Sequence, residues 1–351
     1  MTFTPNYHHM LAVLRNERPA RLPVYEHIIS PLIMERILGV SFAEAESGKG
    51  ADLDHFFHHY CRFWQEMTYD TVSYEVCITE ALPGPGAIRG GKGQLQTRQD
   101  VERYPWDELP ARYWTIAAPR FDALGRHLPT GMKALGGVGN GVLEISEDLV
   151  GFEYLAYMRA DDPELFADLY RRIGDLMATI WQEFLHRYTD TFAICRFGDD
   201  LGFKTSTLVS PPVIRQHIIP QYRRVVDMVR RANRPFLWHS CGNIFGVMDD
   251  VIALGIHAKH SNEDQIAPFE TWIERYGDRI ALLGGIDVDI LCREDPDDIF
   301  EQVKERGLKY RALARGYALG SGNSIPDYVP VEGYLAMIRA AQAIRAAEGN
   351  A

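Results

Sequence analysis

The sequence lacks the features that would place the protein in a membrane, outside the cell or on nucleic acid. No stretch approaches the ~18 continuous apolar residues of a membrane span, and the N-terminus has no basic segment followed by an apolar one, as a secretory signal would. The five cysteines are scattered and odd in number, which argues against a disulfide framework. The net charge of −11 and the lack of a basic cluster disfavour nucleic acid. We therefore expect a cytoplasmic protein that acts on a small molecule.

What the sequence does contain is a recurring apolar, β-branched run that ends in polar residues or glycine and precedes a helical pattern. Strands that alternate with helices indicate βαβ units and a parallel sheet. Eight such units predict an α/β fold, a (β/α)8 TIM barrel, with a doubly wound open sheet as the alternative. The runs are 22–29, 71–78, 132–142, 192–200, 236–241, 255–261, 280–287 and 317–321. We predict a single domain over residues 1–351, with residues 1–20 as an N-terminal extension.

Several helix starts are marked by a proline that follows a capping residue. Pro163 and Pro296 each follow aspartate and Pro211 follows serine, which are good N-cap residues, and proline is tolerated in the first turn. Pro220 should interrupt the helix that begins at Pro211, because proline lacks an N–H and clashes with the preceding turn. Residues 331–347 are expected to form a final outer helix.

The most informative stretch ends the fifth run and reads Trp-His-Ser-Cys-Gly over residues 238–242. Side chains alternate across a strand, so His239 and Cys241 should point to the same side. An imidazole beside a thiol is half of a zinc site or part of a catalytic pair. From the spacing alone, a buried histidine beside an apolar cysteine is an equally good interpretation.

Polar residues stand at most of the predicted strand ends, where a barrel of this kind builds its active site. Barrel interiors are mainly apolar, so polar groups there need partners or a function. We predict catalytic roles for Asp199, Glu75 and Tyr74. We predict substrate binding by Asn140, Asp200, His260, Asp287, Ser321 and Asn323.

Two of the strand ends are rich in glycine. The run 136–141 allows a backbone to approach a ligand closely, although its spacing is not that of a dinucleotide fingerprint. In the last loop, 320–324, backbone amides could hold an anionic group, or the segment is a plain turn.

The chain resembles the uroporphyrinogen decarboxylase superfamily, in segments that follow the family order from about Pro19 to Ala347. The resemblance implies a (β/α)8 barrel, in agreement with the strand count, and makes a homodimer a candidate assembly. The matching segments are 198–202, Ser210-Pro211, Pro220, 239–242, 276–279, 284–287 and 320–326.

The sequence departs from the decarboxylases of this superfamily at two points. A substrate with many carboxylates needs cations, which the family supplies as arginines in the first strand loop; residues 23–31 contain none, and Glu26 would repel such a substrate. The family's histidine at the last strand is replaced by Ser321. Porphyrinogen decarboxylation is therefore not the expected reaction.

The other branch, the cobamide-dependent methyltransferases, holds zinc with His-x-Cys and a later cysteine. His239 and Cys241 match the first two ligands, and Ser321 stands where the third cysteine would be. Neutral serine is a poor zinc ligand, so a carboxylate is the better third ligand: we favour Glu26, with Glu75 and Asp199 as alternatives.

The resemblance thus favours a zinc-assisted methyltransferase whose methyl group comes from or goes to a corrinoid, supplied by a separate corrinoid protein. A metal-free decarboxylase or lyase is the second hypothesis, with His239 as proton donor and Asp199 or Glu75 stabilising a developing cation. A binding protein that has lost its chemistry is the third.

Overall fold

Seven parallel strands form one sheet in which each strand pairs with the next along the chain. The computed structural model describes residues 3–47, 51–88 and 90–349; the ends of the predicted extension and domain, residues 1–2 and 350–351, lie outside this range. The predicted α/β fold with parallel strands is confirmed, and each observed strand falls within a predicted run. The strands are Thr71–Cys77 (β1), Lys133–Gly139 (β2), Phe192–Gly198 (β3), Phe236–His239 (β4), Ala258–His260 (β5), Ala281–Ile286 (β6) and Tyr317–Ser321 (β7).

The first predicted strand, 22–29, does not form. It forms isolated parallel bridges from Val24 to Leu319 of β7 and from Ile29 to Ile325, which lies beyond β7. Towards β1 it makes no ladder within the described chain, because the carbonyl of His27 accepts from the side chains of Ser73 and Arg196 instead. The segment thus lies between the two sheet edges, held partly by side chains. What the described chain shows is a curled seven-stranded sheet, and a closed eight-stranded barrel is not shown.

Helices follow most strands and cover the outer face of the sheet. They are His8–Leu14 (α1), Pro31–Leu38 (α2), Leu53–Glu66 (α3), Arg98–Arg103 (α4), Leu109–His127 (α5), Val142–Val150 (α6), Phe152–Asp161 (α7), Pro163–Arg187 (α8), Pro211–Val213 (α9), Ile219–Arg231 (α10), Met248–Ile252 (α11), Phe269–Tyr276 (α12), Val288–Arg293 (α13), Pro296–Leu313 (α14) and Val331–Ala347 (α15). No helix in the described ranges combines the length and apolar character that a bilayer span requires.

The predicted helix starts are confirmed. The N-cap Asp162 accepts a hydrogen bond from the amide of Leu165 at 2.9 Å, and α9, α14 and α15 begin at the expected residues. The helix that begins at Pro211 is interrupted, as expected from Pro220, by a π-helical segment, Ile214–Ile218, immediately before α10. A proline ring clashes with the preceding turn, and a wider turn relieves that clash.

The core has two parts. A large apolar cluster fills the space between sheet and helices. A smaller one lies inside the curled sheet and contains Leu135, Ile194 and Leu237 from alternate strand positions, together with Val13 and Leu14 of α1. Since α1 shares a cluster with the inner strand residues, it covers the end of the sheet opposite the strand C-termini.

The glycines of β2 serve packing between elements. A Cβ at Gly136 (φ +134°) would lie 2.1 Å from the carbonyl oxygen of Tyr74, and one at Gly137 (φ +110°) would lie 2.4 Å from the ring of Phe184. Both positions therefore need glycine for contact with β1 and α8. This is a reason different from the ligand contact that the sequence suggested.

Candidate active site

His239 and Cys241 lie side by side at the C-terminal end of β4, as their spacing predicted. The distance between His239 Nε2 and Cys241 Sγ is 3.4 Å. His239 is buried and Cys241 is partly exposed, so the pair stands at the border between the interior and the opening of the curled sheet. Burial is the main cause that raises the pKa of the Cys241 thiol and lowers the pKa of His239 well below its usual value.

The protonation of the His239 ring is set by a chain of hydrogen bonds. His260 Nε2 lies 2.9 Å from the carbonyl oxygen of Ser321, which can only accept, so Nε2 carries the proton. Burial lowers the pKa of His260 to about 3, so its Nδ1 is a bare acceptor. His239 Nδ1, 2.8 Å away, must donate to it. The lone pair of His239 is then on Nε2, which faces Cys241.

Asp200 completes a three-ligand cluster with this pair. Its Oδ1 lies 3.8 Å from His239 Nε2 and accepts from the backbone amide of Cys241 at 2.9 Å. One ligand atom from each of the three residues lies within 4.8 Å of the others. Asp200 was predicted to bind substrate, and its position beside the His–Cys pair makes it the carboxylate best placed to share a metal ion.

The donor set fits zinc. Zinc bonds of about 2.0 Å to nitrogen and 2.3 Å to sulfur in a tetrahedral site separate the two ligand atoms by roughly 3.5 Å, close to the separation of His239 Nε2 and Cys241 Sγ. Asn323 Nδ2 and Ser261 Oγ donate towards the same sulfur at 3.4 and 3.7 Å. Donors of this kind stabilise a thiolate, which is the form that binds metal.

Glu26, the predicted third ligand, lies elsewhere. Its carboxylate accepts from the backbone amide of Ser321 at 2.7 Å and from the Ser321 hydroxyl at 2.5 Å. Glu26 is fully buried, and burial raises its pKa to about 8. The Ser321 hydroxyl, at the position of the family's third cysteine, is thus engaged by Glu26 and not turned to the His–Cys pair.

Glu75 and Tyr74 lie on opposite faces of β1. Glu75 Oε2 accepts from Nε and Nη2 of the fully buried Arg196 at 3.1 and 2.7 Å, on the inner face of the sheet. Tyr74 points outward among aromatic rings of α3 and donates to Glu46 at 2.7 Å. The structure therefore brings Glu75 to the interior of the curled sheet and leaves Tyr74 outside it.

Asp199 is fully buried and engaged by a helix. Its two carboxylate oxygens accept from the amides of Leu143 and Glu144, both at 2.9 Å, and from the hydroxyl of Tyr222. These amides are the unpaired donors at the start of α6. Asp199, predicted to be catalytic, thus acts as a helix cap supplied from β3.

Asn140 is held at the opening by side chains on both sides. Its Oδ1 accepts from the hydroxyl of Thr79 at 2.9 Å and its Nδ2 donates to Glu144 at 2.8 Å. Burial, with the nearby charges of Asp199 and Asp200, raises the pKa of Glu144 well above its usual value. Glu144 is thus a protonatable group next to the cluster of His239, Cys241 and Asp200.

A cavity of about 310 Å³ opens next to the His–Cys pair. Asn323 lines it and also contacts the Cys241 sulfur, so this side chain lies between the cavity and the cluster, whose own residues are not part of the lining. Asp287, predicted to bind substrate, lines the cavity too, although its carboxylate oxygens accept from the amides of Asp264 and Asp289. Asn262 contributes a buried Nδ2 that has no partner. The cavity therefore offers a polar binding surface beside the candidate metal ligands.

Two side chains at the centre of this region were not among the predicted site residues. His27 stacks on His239, with ring centroids 3.8 Å apart, and its Nδ1 is buried without a partner. Arg196 also bonds Tyr25 and Ser73. A charged residue within the otherwise apolar third strand was the available signal for Arg196; His27 had only its position beside Glu26.

The chain belongs to the uroporphyrinogen decarboxylase (URO-D) family, whose profile matches residues 98–344. A methyltransferase from Methanosarcina mazei is structurally similar at 16% identity and a TM-score of 0.69, over 95% of this chain and 97% of that one. A B12-independent methionine synthase from Shewanella sp. W3-18-1, in complex with selenomethionine, matches at 15% identity and a TM-score of 0.52, over 93% and 98%. No curated protein sequence matches significantly.

Proposed function

We propose that this protein is a zinc-dependent methyltransferase that moves a methyl group between a corrinoid and a small substrate. The carrying observation is the cluster of His239, Cys241 and Asp200, with the His239 lone pair directed at the cysteine. Of the two structurally similar proteins named above, one is a methyltransferase and the other a B12-independent methionine synthase. The likeness supports methyl transfer, and the corrinoid is proposed from the His-x-Cys resemblance alone.

Zinc bound by His239, Cys241 and Asp200 would supply Lewis acidity at an open fourth position, lowering the pKa of a substrate thiol or hydroxyl. The protein's own residues have separate tasks. His260 fixes the orientation and tautomer of His239 through the Nδ1–Nδ1 hydrogen bond. Asn323 and Ser261 stabilise negative charge on the Cys241 sulfur. The neighbouring cavity, lined by Asn262 and Asn323, binds the rest of the substrate.

The corrinoid would be presented by a separate protein that docks over the opening. Large apolar side chains are exposed nearby: Phe203 and Tyr328, on the loops after β3 and β7, are 60% and 73% exposed, and Ile28, in the 22–29 segment, is 42% exposed. Exposed apolar groups around a polar cavity are typical of a surface that receives a partner.

The metal-free decarboxylase or lyase, in which His239 donates a proton, is less well supported. The hydrogen-bond chain from Ser321 through His260 leaves His239 Nε2 without a proton, and burial keeps the ring neutral. A group in that state accepts a proton or binds a metal, and is a poor general acid.

The first test is the metal content of protein prepared with zinc, by elemental analysis of wild type, His239→Ala, Cys241→Ser, Asp200→Asn and Glu26→Gln. We expect about one zinc per chain in wild type, loss in the first two variants and weakened retention in the third. Glu26→Gln is the matched control and should keep its zinc, because Glu26 bonds Ser321.

Methyl transfer from methylcobalamin to 2-mercaptoethanol, measured on the same preparations, should follow the zinc content. Wild type without zinc, or Cys241→Ser with full zinc and full activity, would contradict the proposal. Zinc retained in Asp200→Asn and lost in Glu26→Gln would move the third ligand to Glu26.

A further inference from the structure

A second cavity, of about 360 Å³, lies at the opposite end of the sheet from the candidate active site. It is bounded by α1, by the C-terminal end of α10 and by the residues that lead into β3, β4 and β5. In barrels of this kind, the end at the strand N-termini normally contributes to stability and not to function. Here, however, its lining is cationic: three arginines, Arg15, Arg230 and Arg234, share it with His257.

Arg234 has unused capacity as a donor. Its Nη2 donates to the backbone carbonyl of Thr189 at 2.9 Å. Its Nε is buried and has no partner, and no carboxylate in the described ranges lies within ion-pair distance of it. The positive charge of Arg234 is therefore not neutralised by the described protein, and it can interact with an anion in the cavity.

Arg230 and His257 face the cavity from neighbouring segments. The Arg230 guanidinium lies against Gly255, where a Cβ would come within 3.1 Å of Cζ, and its nearest carboxylate oxygen, on Asp227, is 4.0 Å away. His257 Nδ1 accepts from the amide of Phe236 at 3.1 Å. Burial, and then Arg230, lowers the pKa of His257, so the neutral ring carries its proton on Nε2 and is a further donor.

Helix geometry accounts for only part of this charge. Basic residues at a helix C-terminus complement the helix dipole, which explains Arg230 at the end of α10. The same effect accounts for Arg15, the C-cap residue of α1, which also pairs with the exposed Glu17 at 3.0 Å. It does not explain Arg234, which lies beyond α10. Three arginines line one cavity on a chain whose net charge is −11.

We propose that this cavity binds the phosphoryl group of a small organic phosphate, at a site separate from the methyl-transfer site. Guanidinium groups match the oxygens of a phosphate in charge and geometry, and several of them suit a dianion better than a carboxylate. Leu11 and Ala193 form an apolar wall that would contact the carbon part of the ligand. Binding at this cavity requires neither zinc nor methyl transfer.

The test is isothermal titration calorimetry of the full chain with phenyl phosphate, inorganic phosphate and benzoate. We expect saturable binding of phenyl phosphate, weaker binding of inorganic phosphate and little of benzoate. Arg230→Gln, Arg234→Gln and Arg15→Gln should each weaken phenyl phosphate binding roughly tenfold or more. Arg15→Gln matters because the side-chain hydrogen bond of Arg15 goes to Glu17, only two residues away, so loss of binding in this variant is not an effect of misfolding.

Two controls separate this site from the other one. Arg224→Gln changes an arginine of the same helix α10 that pairs with Asp175 outside the cavity, and it should bind as wild type does. His239→Ala should also bind normally. The proposal is overturned if wild type shows no saturable binding up to about 10 mM, if the cavity variants bind like wild type, or if benzoate binds as tightly as phenyl phosphate.

Discussion

The imidazole of His239 depends on His260 for the state that a metal ligand needs. The Nδ1–Nδ1 hydrogen bond of 2.8 Å holds the His239 proton away from the cysteine side. Removing that acceptor in His260→Ala should lower zinc affinity about 10- to 100-fold, measured by competition with a chelating dye. The surface change Asp175→Asn leaves the hydrogen bonds of His239 and His260 in place, so it should retain the wild-type affinity. Equal affinity in His260→Ala and wild type would show that the tautomer is fixed some other way.

Glu26 should make the stability of the protein fall as pH rises. Burial raises its pKa from 4.5 to about 8 in the folded state, so the folded state binds this proton more tightly than the unfolded state does. The free energy of unfolding therefore decreases between about pH 4.5 and 8 and levels off above that.

The effect is isolated by comparison with Glu26→Gln, since other buried carboxyls titrate in both proteins. From pH 5 to pH 8 wild type should lose about 3 kcal/mol relative to the variant, measured by urea unfolding of metal-free protein. Parallel pH profiles would mean that Glu26 is ionised in the folded state throughout this range.

At the site, the sequence predicted the His–Cys pair because alternation along a strand is a local rule. It could not assign the carboxylates. Asp199 and Asp200 are adjacent and must diverge, yet which one meets His239 depends on how β3 packs against α6 and β4. In the structure Asp199 accepts from an amide of α6, whereas Asp200 accepts from the amide of Cys241 in the His–Cys pair. The pairing of Glu26 with Ser321, 295 residues apart, has no local signal at all.

At the scale of elements, α6 depends on a side chain from another segment. Its N-cap residue, Gly141, has no side chain to offer, and a Cβ there would lie 2.1 Å from Asp199. The carboxylate of Asp199 instead accepts from the first amides of α6, as an N-cap side chain would.

Asp199→Asn should therefore destabilise the protein by about 2 kcal/mol, because an amide nitrogen cannot accept from the helix amides. Thermal or urea unfolding measures this, with the half-exposed surface change Asp175→Asn as control at under about 0.5 kcal/mol. If Asp199→Asn is as stable as wild type and loses activity, the catalytic role predicted from the sequence is the correct one.

The element that the sequence mispredicted is the first strand. Its apolar run has strand character, and its backbone bonds β7 where the Pro23 carbonyl accepts from the Leu319 amide and the Tyr25 amide donates to the Leu319 carbonyl. Pro23 cannot donate to a ladder, and at Glu26 and His27 side chains take part in place of backbone partners. The Glu26 carboxylate accepts from the Ser321 amide, and the Ser73 hydroxyl donates to the His27 carbonyl. Hydrogen bonding by side chains from distant segments competes with the ladder, and periodicity does not reveal it. The seven observed strands pair with one another through backbone ladders and were predicted within a few residues.

At the scale of the whole molecule, the two ends of the sheet differ in composition. The C-terminal end carries His27, His239 and His260, together with Asp200 and the exposed Phe203 and Tyr328. The N-terminal end is covered by α1, whose Met10, Val13 and Leu14 are fully buried with the inner strand residues. The sequence marked residues 1–20 only as an extension, because a seven-residue helix has too short a pattern to show what it covers.

This arrangement makes α1 a determinant of stability that is remote from the chemistry. Leu14→Ala would leave a cavity beneath the inner cluster and should cost about 2–4 kcal/mol in free energy of unfolding, as for other buried leucines. The control Leu313→Ala changes a leucine that is 56% exposed and should cost under about 0.5 kcal/mol. Both are measured by urea unfolding with zinc content determined in parallel, and zinc content should be unchanged because the cluster lies at the other end of the sheet. A Leu14→Ala protein as stable as wild type would mean that α1 contributes little to the core, whereas loss of zinc in a folded Leu14→Ala protein would mean that the two ends are coupled.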